Sequence, residues 1–330
     1  MLAYDPPAPP RHERPEPVAR GRWCWPALLP GIAMVLDAGW PVRPDGELLW
    51  LDIAAIVCLG WALLGSRRAP AADWATAMDG NIAAGFVLAL LHVIHADGDA
   101  EPMRWLHQIA SSGACFYALA ARLRRDPLAP DAIWPSFAFA VLALSTFTLA
   151  CATRGVAAIG LASRLVDVRW ASQAGLAKAL LLATVLCVGR ALEPNARALW
   201  RVTALVGVLA FALQSVPTGV GLRIGSLASL DEPFYFGTCI VTFMLLAGFA
   251  RITWTLARQR PAEAHRWRAT ALVFVLVVVL LLFGGTTGGE GVRAITALAG
   301  AAAIAGSATA HAAAGQGHLR EPEATAARAA

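Results

Sequence analysis

The feature that most constrains this chain is a succession of long, almost uncharged apolar runs, of which Phe274–Phe283 (FVLVVVLLLF) is the purest. None alternates apolar with polar residues, so the period of a β-barrel strand is missing and helices are the expected elements. A bilayer core takes about 20 largely apolar residues in helical form. Only helices and closed barrels satisfy their own backbone hydrogen bonds there. Composition agrees: 58% of the 330 residues are hydrophobic and 15% charged, against about 25% charged in an ordinary soluble domain. A water-soluble fold of this make-up would leave large apolar patches exposed.

The runs predict ten helices, over 23–40, 48–65, 81–96, 105–122, 133–152, 173–190, 199–216, 234–256, 269–284 and 293–313. The expected fold is an all-α, polytopic transmembrane bundle. Residues 1–22 and 314–330 are expected to be disordered tails around one membrane domain, 23–313. The first 20 residues are rich in Pro and Arg and carry no apolar stretch of the kind a cleaved signal peptide needs.

Arginine sets the orientation. With the N-terminus inside, 19 Arg fall on inner segments and seven on outer ones, which predicts both termini inside. The +5 net charge is therefore a topology signal. A nucleic-acid surface would gather the same charge on one face. Trp23, Trp40, Trp50, Trp105, Trp134, Trp170, Trp200 and Trp267 fall near helix ends, where amphipathic rings sit at the headgroups. The expected location is the cytoplasmic (inner) membrane of a bacterium, as a multi-pass protein with the lipid bilayer as its first partner.

Two helices differ in kind. The ninth is aliphatic throughout its apolar run and is expected to face lipid. The tenth is made almost entirely of small residues, with Gly306 and Ala310 at the spacing that lets helices approach closely. It is expected inside the bundle.

The six Cys lie in six different predicted helices with no CxxC pair, so they read as small buried apolar side chains. SSGACFYALAAR (111–122) superficially resembles the serine segment of rhomboid proteases, with His311 as a distant base, but the rest of that constellation is missing. GGTTGGEG (284–291) is followed by no GK[ST] and reads as a turn. No catalytic residue is assigned and an enzyme is not the expectation.

Ionisable groups within membrane helices are costly and mark candidate function. His92 and His95, three residues apart, share a helix face, and His107 opens the next predicted helix after a short acidic loop. Neutral imidazoles ligate haem iron, copper and zinc, and facing helices are how bundles hold such groups. His92, His95 and His107 are therefore candidate metal ligands, set against interfacial histidines beside a solvated loop. Lys178, the single lysine, lies within the sixth helix. It either snorkels to the outer headgroups or pairs with Asp167, Asp37 or Asp52. His311 reads as a packed, hydrogen-bonded histidine.

LALLH (88–92) followed by PMRWLHQ (102–108), then TFTLACATR (146–154), then LLLATVLCVGRALEP and ALWRVTALVGVLAFAL, resembles the NnrS family over roughly residues 88–217. These are bacterial inner-membrane proteins that bind haem and copper and belong to the response to nitric oxide. The resemblance implies haem b or copper at His92 and His107, with Arg154 as a further functional residue. The family's WHxxE, GHTGR and HALTxG segments have no counterpart here, so nothing else is carried across.

Two functions compete on these residues. One is a haem- or metal-binding protein with its site at the outer His cluster, acting on a small molecule such as nitric oxide. The other is a secondary transporter of a small solute, two five-helix halves of opposite orientation, with Asp37, Asp52 and Lys178 as coupling residues.

Overall fold

The computed structural model describes residues 28–33, 50–65, 75–95, 100–124, 133–152, 173–218, 233–283 and 292–308. Among them there are helices and no strands. In chain order they are α1 (29–33), α2 (Trp50–Gly65), α3 (Asp79–His95), α4 (Ala100–Leu123), α5 (Trp134–Ala152), α6 (Gln173–Ala191), α7 (Ala198–Thr218), α8 (Pro233–Gln259), α9 (Ala264–Phe283) and α10 (Val292–Ala308). A 3₁₀ turn, Pro261–Glu263, separates α8 from α9. Each helix falls on a predicted apolar run.

Local chemistry explains the ends. Thr76 and Asp79 form a reciprocal cap at the start of α3: the Thr76 amide donates to Asp79 Oδ2 at 2.9 Å, and the Met78 amide donates to Thr76 Oγ1 at 3.2 Å. This satisfies amides that the first turn of a helix leaves without partners. Pro261 has no N–H to continue the ladder, so α8 stops and the chain turns into α9.

The helices pack in neighbouring pairs. α2 lies on α4, α4 on α3, α3 on α8, and α8 on α9; α9 also packs on α6, and α5, α6 and α7 pack on one another. α10 is buried on nearly every side from Ala297 to Ala305, as expected of a helix of small residues. A Cβ on Gly300 would lie 3.1 Å from the Phe249 ring of α8 and 3.3 Å from the Phe116 ring of α4. A large apolar core joins these elements, with a smaller one of Leu256, Ala257, Ala264 and Trp267 where α8 turns into α9.

α9 buries one face of its aliphatic run and exposes the other, where the sequence predicts a helix turned outward. Thr270, Val273, Phe274 and Val277 are buried between α6 and α8, while Leu272 and Val275 are exposed. The reason is physical: a protein core and a lipid tail are equally apolar, so composition does not distinguish them.

Among the described residues one helical segment, Ile240–Gln259, is long and apolar enough to cross a membrane by length and composition. Trp50–Leu64, Asp79–His95, Ile109–Leu123, Trp134–Thr146, Ala198–Ala212 and Val292–Ala308 are apolar but shorter. The architecture established is an all-α bundle.

Candidate functional site

Asp52 sits in the first turn of α2 and is 4% exposed. A buried carboxylate is costly unless its oxygens are hydrogen-bonded. Here α4 supplies the partners. The Ser111 hydroxyl donates to Asp52 Oδ1, and Nε2 of His107 lies 3.2 Å from the same oxygen. His107 and Ser111 are four residues apart, so both project from one face of α4. The His107 side chain is 38% exposed, so the pair joins a buried acid to an accessible imidazole.

This order of groups is not that of a hydrolytic triad built on Ser111. In a hydrolytic triad the imidazole stands between hydroxyl and carboxylate and takes the hydroxyl proton. In this site the carboxylate stands between the other two and holds the Ser111 proton itself. The arrangement suits a shared proton, or an imidazole oriented by a carboxylate.

The α2–α4 seam carries further polar groups. Cys58 and Cys115 are neighbours across it, and both are fully buried thiols outside any disulfide. With Cys187, also 0% exposed, they are the small buried side chains that the sequence predicts. Further along, the Arg122 guanidinium lies 5.1 Å from the Trp61 ring centre.

At the start of α3, before its apolar run begins, Asp79 accepts from the Tyr117 hydroxyl of α4 at 2.9 Å. Burial opposes its charged form. The bonds from Thr76 and Tyr117, with Arg124 nearby, outweigh that and hold the carboxyl below the ordinary carboxylate range.

A second buried ionic cluster ties α6 to α9. Arg266 is 3% exposed and Glu193 6%. Arg266 Nε donates to Glu193 Oε1 at 2.8 Å and its Nη2 to Oε2 at 3.3 Å, a bidentate fork. Arg190 also donates to Glu193 Oε2. The Arg266 guanidinium lies 5.4 Å from the Trp134 ring centre, and the Trp267 indole donates to Glu263 at 3.0 Å.

A cavity of about 230 Å³ opens among α3, α4, α8, α9 and α10. Ser112, Thr242, Thr296 and Arg293 are among its polar lining residues, and Phe116, Phe249 and Val277 among its apolar ones. Ser112 follows Ser111 directly, so α4 presents one serine to Asp52 and the next to the cavity.

The sequence-predicted residues divide accordingly. His107 and Asp52 come together, although the sequence placed them in different hypotheses. His92 is half-buried on α3, and exposed His95 donates from Nδ1 to its own Leu91 carbonyl at 2.9 Å. Among the described residues no three His, Cys, Asp or Glu side chains converge as a metal-ion site. Lys178 is half-buried on α6, which packs against α5, α7 and α9, whereas α2 packs against α4. Asp37, Arg154, Asp167, His311 and the 284–291 loop lie outside the described residues.

Sequence reasoning missed Ser111, Glu193 and Arg266 as members of buried clusters. The i, i+4 spacing of His107 and Ser111 was a legible signal for the first. Glu193 and Arg266 carry no such local signal, because their pairing spans 73 residues. No protein-family model matches the chain, and no curated protein and no solved structure is significantly similar to it.

Proposed function

We propose that this chain is a multi-pass protein of a bacterial cytoplasmic membrane that moves a small solute in exchange for, or together with, protons. The membrane reading is supported by where apolar and polar side chains lie. Large apolar residues face outward, with Ile56 68% and Leu64 71% exposed on α2 and a stripe of Leu199, Val202 and Leu205 on α7. Polar and charged residues, among them Asp52, Ser145, Thr203, Glu193 and Arg266, are buried. Water would favour the opposite distribution.

The carrying observation for transport is the Asp52–Ser111–His107 site beside the cavity. Intramembrane carboxylates and histidines serve as proton relays. A proton arriving at exposed His107 reaches Asp52 across one hydrogen bond. Protonated Asp52 no longer attracts Ser111 and His107 as an anion, which loosens α4 from α2. Because α4 also lines the cavity, the charge state of Asp52 biases the solute site. The test is charge movement in proteoliposomes under an imposed pH gradient, screened over small organic acids, amines and neutral solutes. Wild type is expected to give solute-dependent currents, and folded Asp52→Asn to give none driven by pH. Currents unchanged in Asp52→Asn remove the coupling role.

One observation favours the haem or copper reading as a second. Ligating histidines usually give their other ring nitrogen to a carboxylate, and His107 has Asp52 in that position. On this reading His107 with His92 holds the group, in a protein resembling the NnrS family. The residues fit in part, since the exposed His107 has one ring nitrogen turned to Asp52 and α3 places half-buried His92 on the neighbouring helix. A visible spectrum with metal analysis of purified protein tests it. A Soret band or stoichiometric copper lost in His107→Ala supports it, and a colourless, metal-free protein rejects it.

A further inference from the structure

We infer that the cavity among α3, α4, α8, α9 and α10 binds a small organic monoanion with an apolar body, of the medium-chain carboxylate class. This names the solute class for the transport reading and rests on it for physiological meaning, though the site itself stands on its own geometry.

Three features define the occupant. The first is size. A cavity of about 230 Å³ exceeds the roughly 150 Å³ of an engineered cavity that holds benzene, which is room for a short chain and too little for a phospholipid.

The second is an apolar floor. Phe116 and Phe249 meet edge to face with ring centres 5.6 Å apart. Gly300 packs against both rings, and Val277 adds an aliphatic wall. A hydrocarbon or aryl body is the chemistry that this surface removes from water most favourably.

The third is a polar end on the cavity side of that floor. Arg293 stands seven residues before Gly300, about 10 Å along α10 at 1.5 Å per residue. It lines the cavity at the first turn of α10, where the helix dipole also favours an anion. Ser112, one turn before Phe116 on α4, lines it too. Its Oγ is buried without a hydrogen-bond partner among the described residues. A buried hydroxyl left unsatisfied is costly. A carboxylate accepts from both the guanidinium and the hydroxyl. A lipid acyl tail satisfies neither.

The experiment uses the full chain in lipid nanodiscs, with octanoate as the probe and 1-octanol as its uncharged control, and reads binding at equilibrium. Octanoate is expected to bind saturably and more tightly than octanol. Arg293→Gln is expected to weaken octanoate by about tenfold or more, the worth of a charge-assisted hydrogen bond, and to leave octanol unchanged. Gly113→Leu fills the cavity, since a Cβ there meets nothing within 4 Å, and it is expected to abolish binding of both while the protein keeps its thermal midpoint. Equal binding of octanoate and octanol, or octanoate binding that survives Gly113→Leu, overturns the inference. So does a tightly held phospholipid that octanoate does not displace. Because no pH gradient is used, octanoate binding without pH-driven currents leaves the site standing and removes the transport reading alone.

Discussion

Glu193 and Arg266 show what one charge means inside this bundle. Each is almost fully buried, and each satisfies the other through a two-bond fork, with Arg190 on the same carboxylate. Removing one partner of such a pair strands the other charge and typically costs about 3–5 kcal/mol. Glu193→Ala is therefore expected to lower the thermal midpoint in detergent strongly. The double change Glu193→Leu with Arg266→Met is expected to recover much of the loss, because it removes both fully buried charges and leaves only the partly exposed Arg190 without its carboxylate. A double variant no better than the single one shows that the pair does more than satisfy itself. Asp52 differs from Glu193 in the chemistry of its accessible partner: His107 is an imidazole, a group that can take up or release a proton, whereas Glu193 is held by two guanidiniums. That difference is why Asp52, rather than Glu193, is assigned to function.

At the scale of elements, α4 does the most. One face carries His107, Ser111 and Cys115 against α2, and another carries Ser112, Gly113 and Phe116 along the cavity. Among the described glycines the closest approach lies in the seam between α6 and α9. A Cβ on Gly189 would lie 2.3 Å from the Ala269 Cβ and 3.0 Å from the His265 carbonyl. Gly189→Ala is thus expected to destabilise by about 1–3 kcal/mol through overpacking, despite the helix propensity that Ala adds. Gly113→Ala, with open space at its Cβ, is the control and is expected to be neutral or slightly stabilising. Equal melting of the two variants means that the seam relaxes at no cost.

For the whole molecule the deciding variable is the solvent around the bundle. Leu199, Val202 and Leu205 are each more than half exposed along one stripe of α7. In a bilayer that stripe faces lipid, and a charge at a helix centre costs about 2.5–3.5 kcal/mol of insertion. Leu205→Asp is expected to reduce the membrane-inserted fraction on expression. A protein in water would show a change within about 0.5 kcal/mol and better solubility. Recovery of soluble, folded Leu205→Asp protein would overturn the membrane proposal.

Helix placement, the small-residue character of α10 and the candidacy of Asp52 and His107 were all readable from the residues. They depend on local composition and on spacing along one helix, which a linear sequence carries directly. The pairing of Asp52 with His107 and Ser111, the Glu193–Arg266 fork, the Cys58–Cys115 contact and the buried face of α9 came only with the tertiary structure. Each is a choice of neighbour between helices distant in sequence, and apolar helices of similar composition offer many nearly equivalent partners. Close approaches such as that of Gly189 to Ala269 and of Gly300 to the Phe116 and Phe249 rings select among them. Their short-range sterics exist only once the helices are side by side.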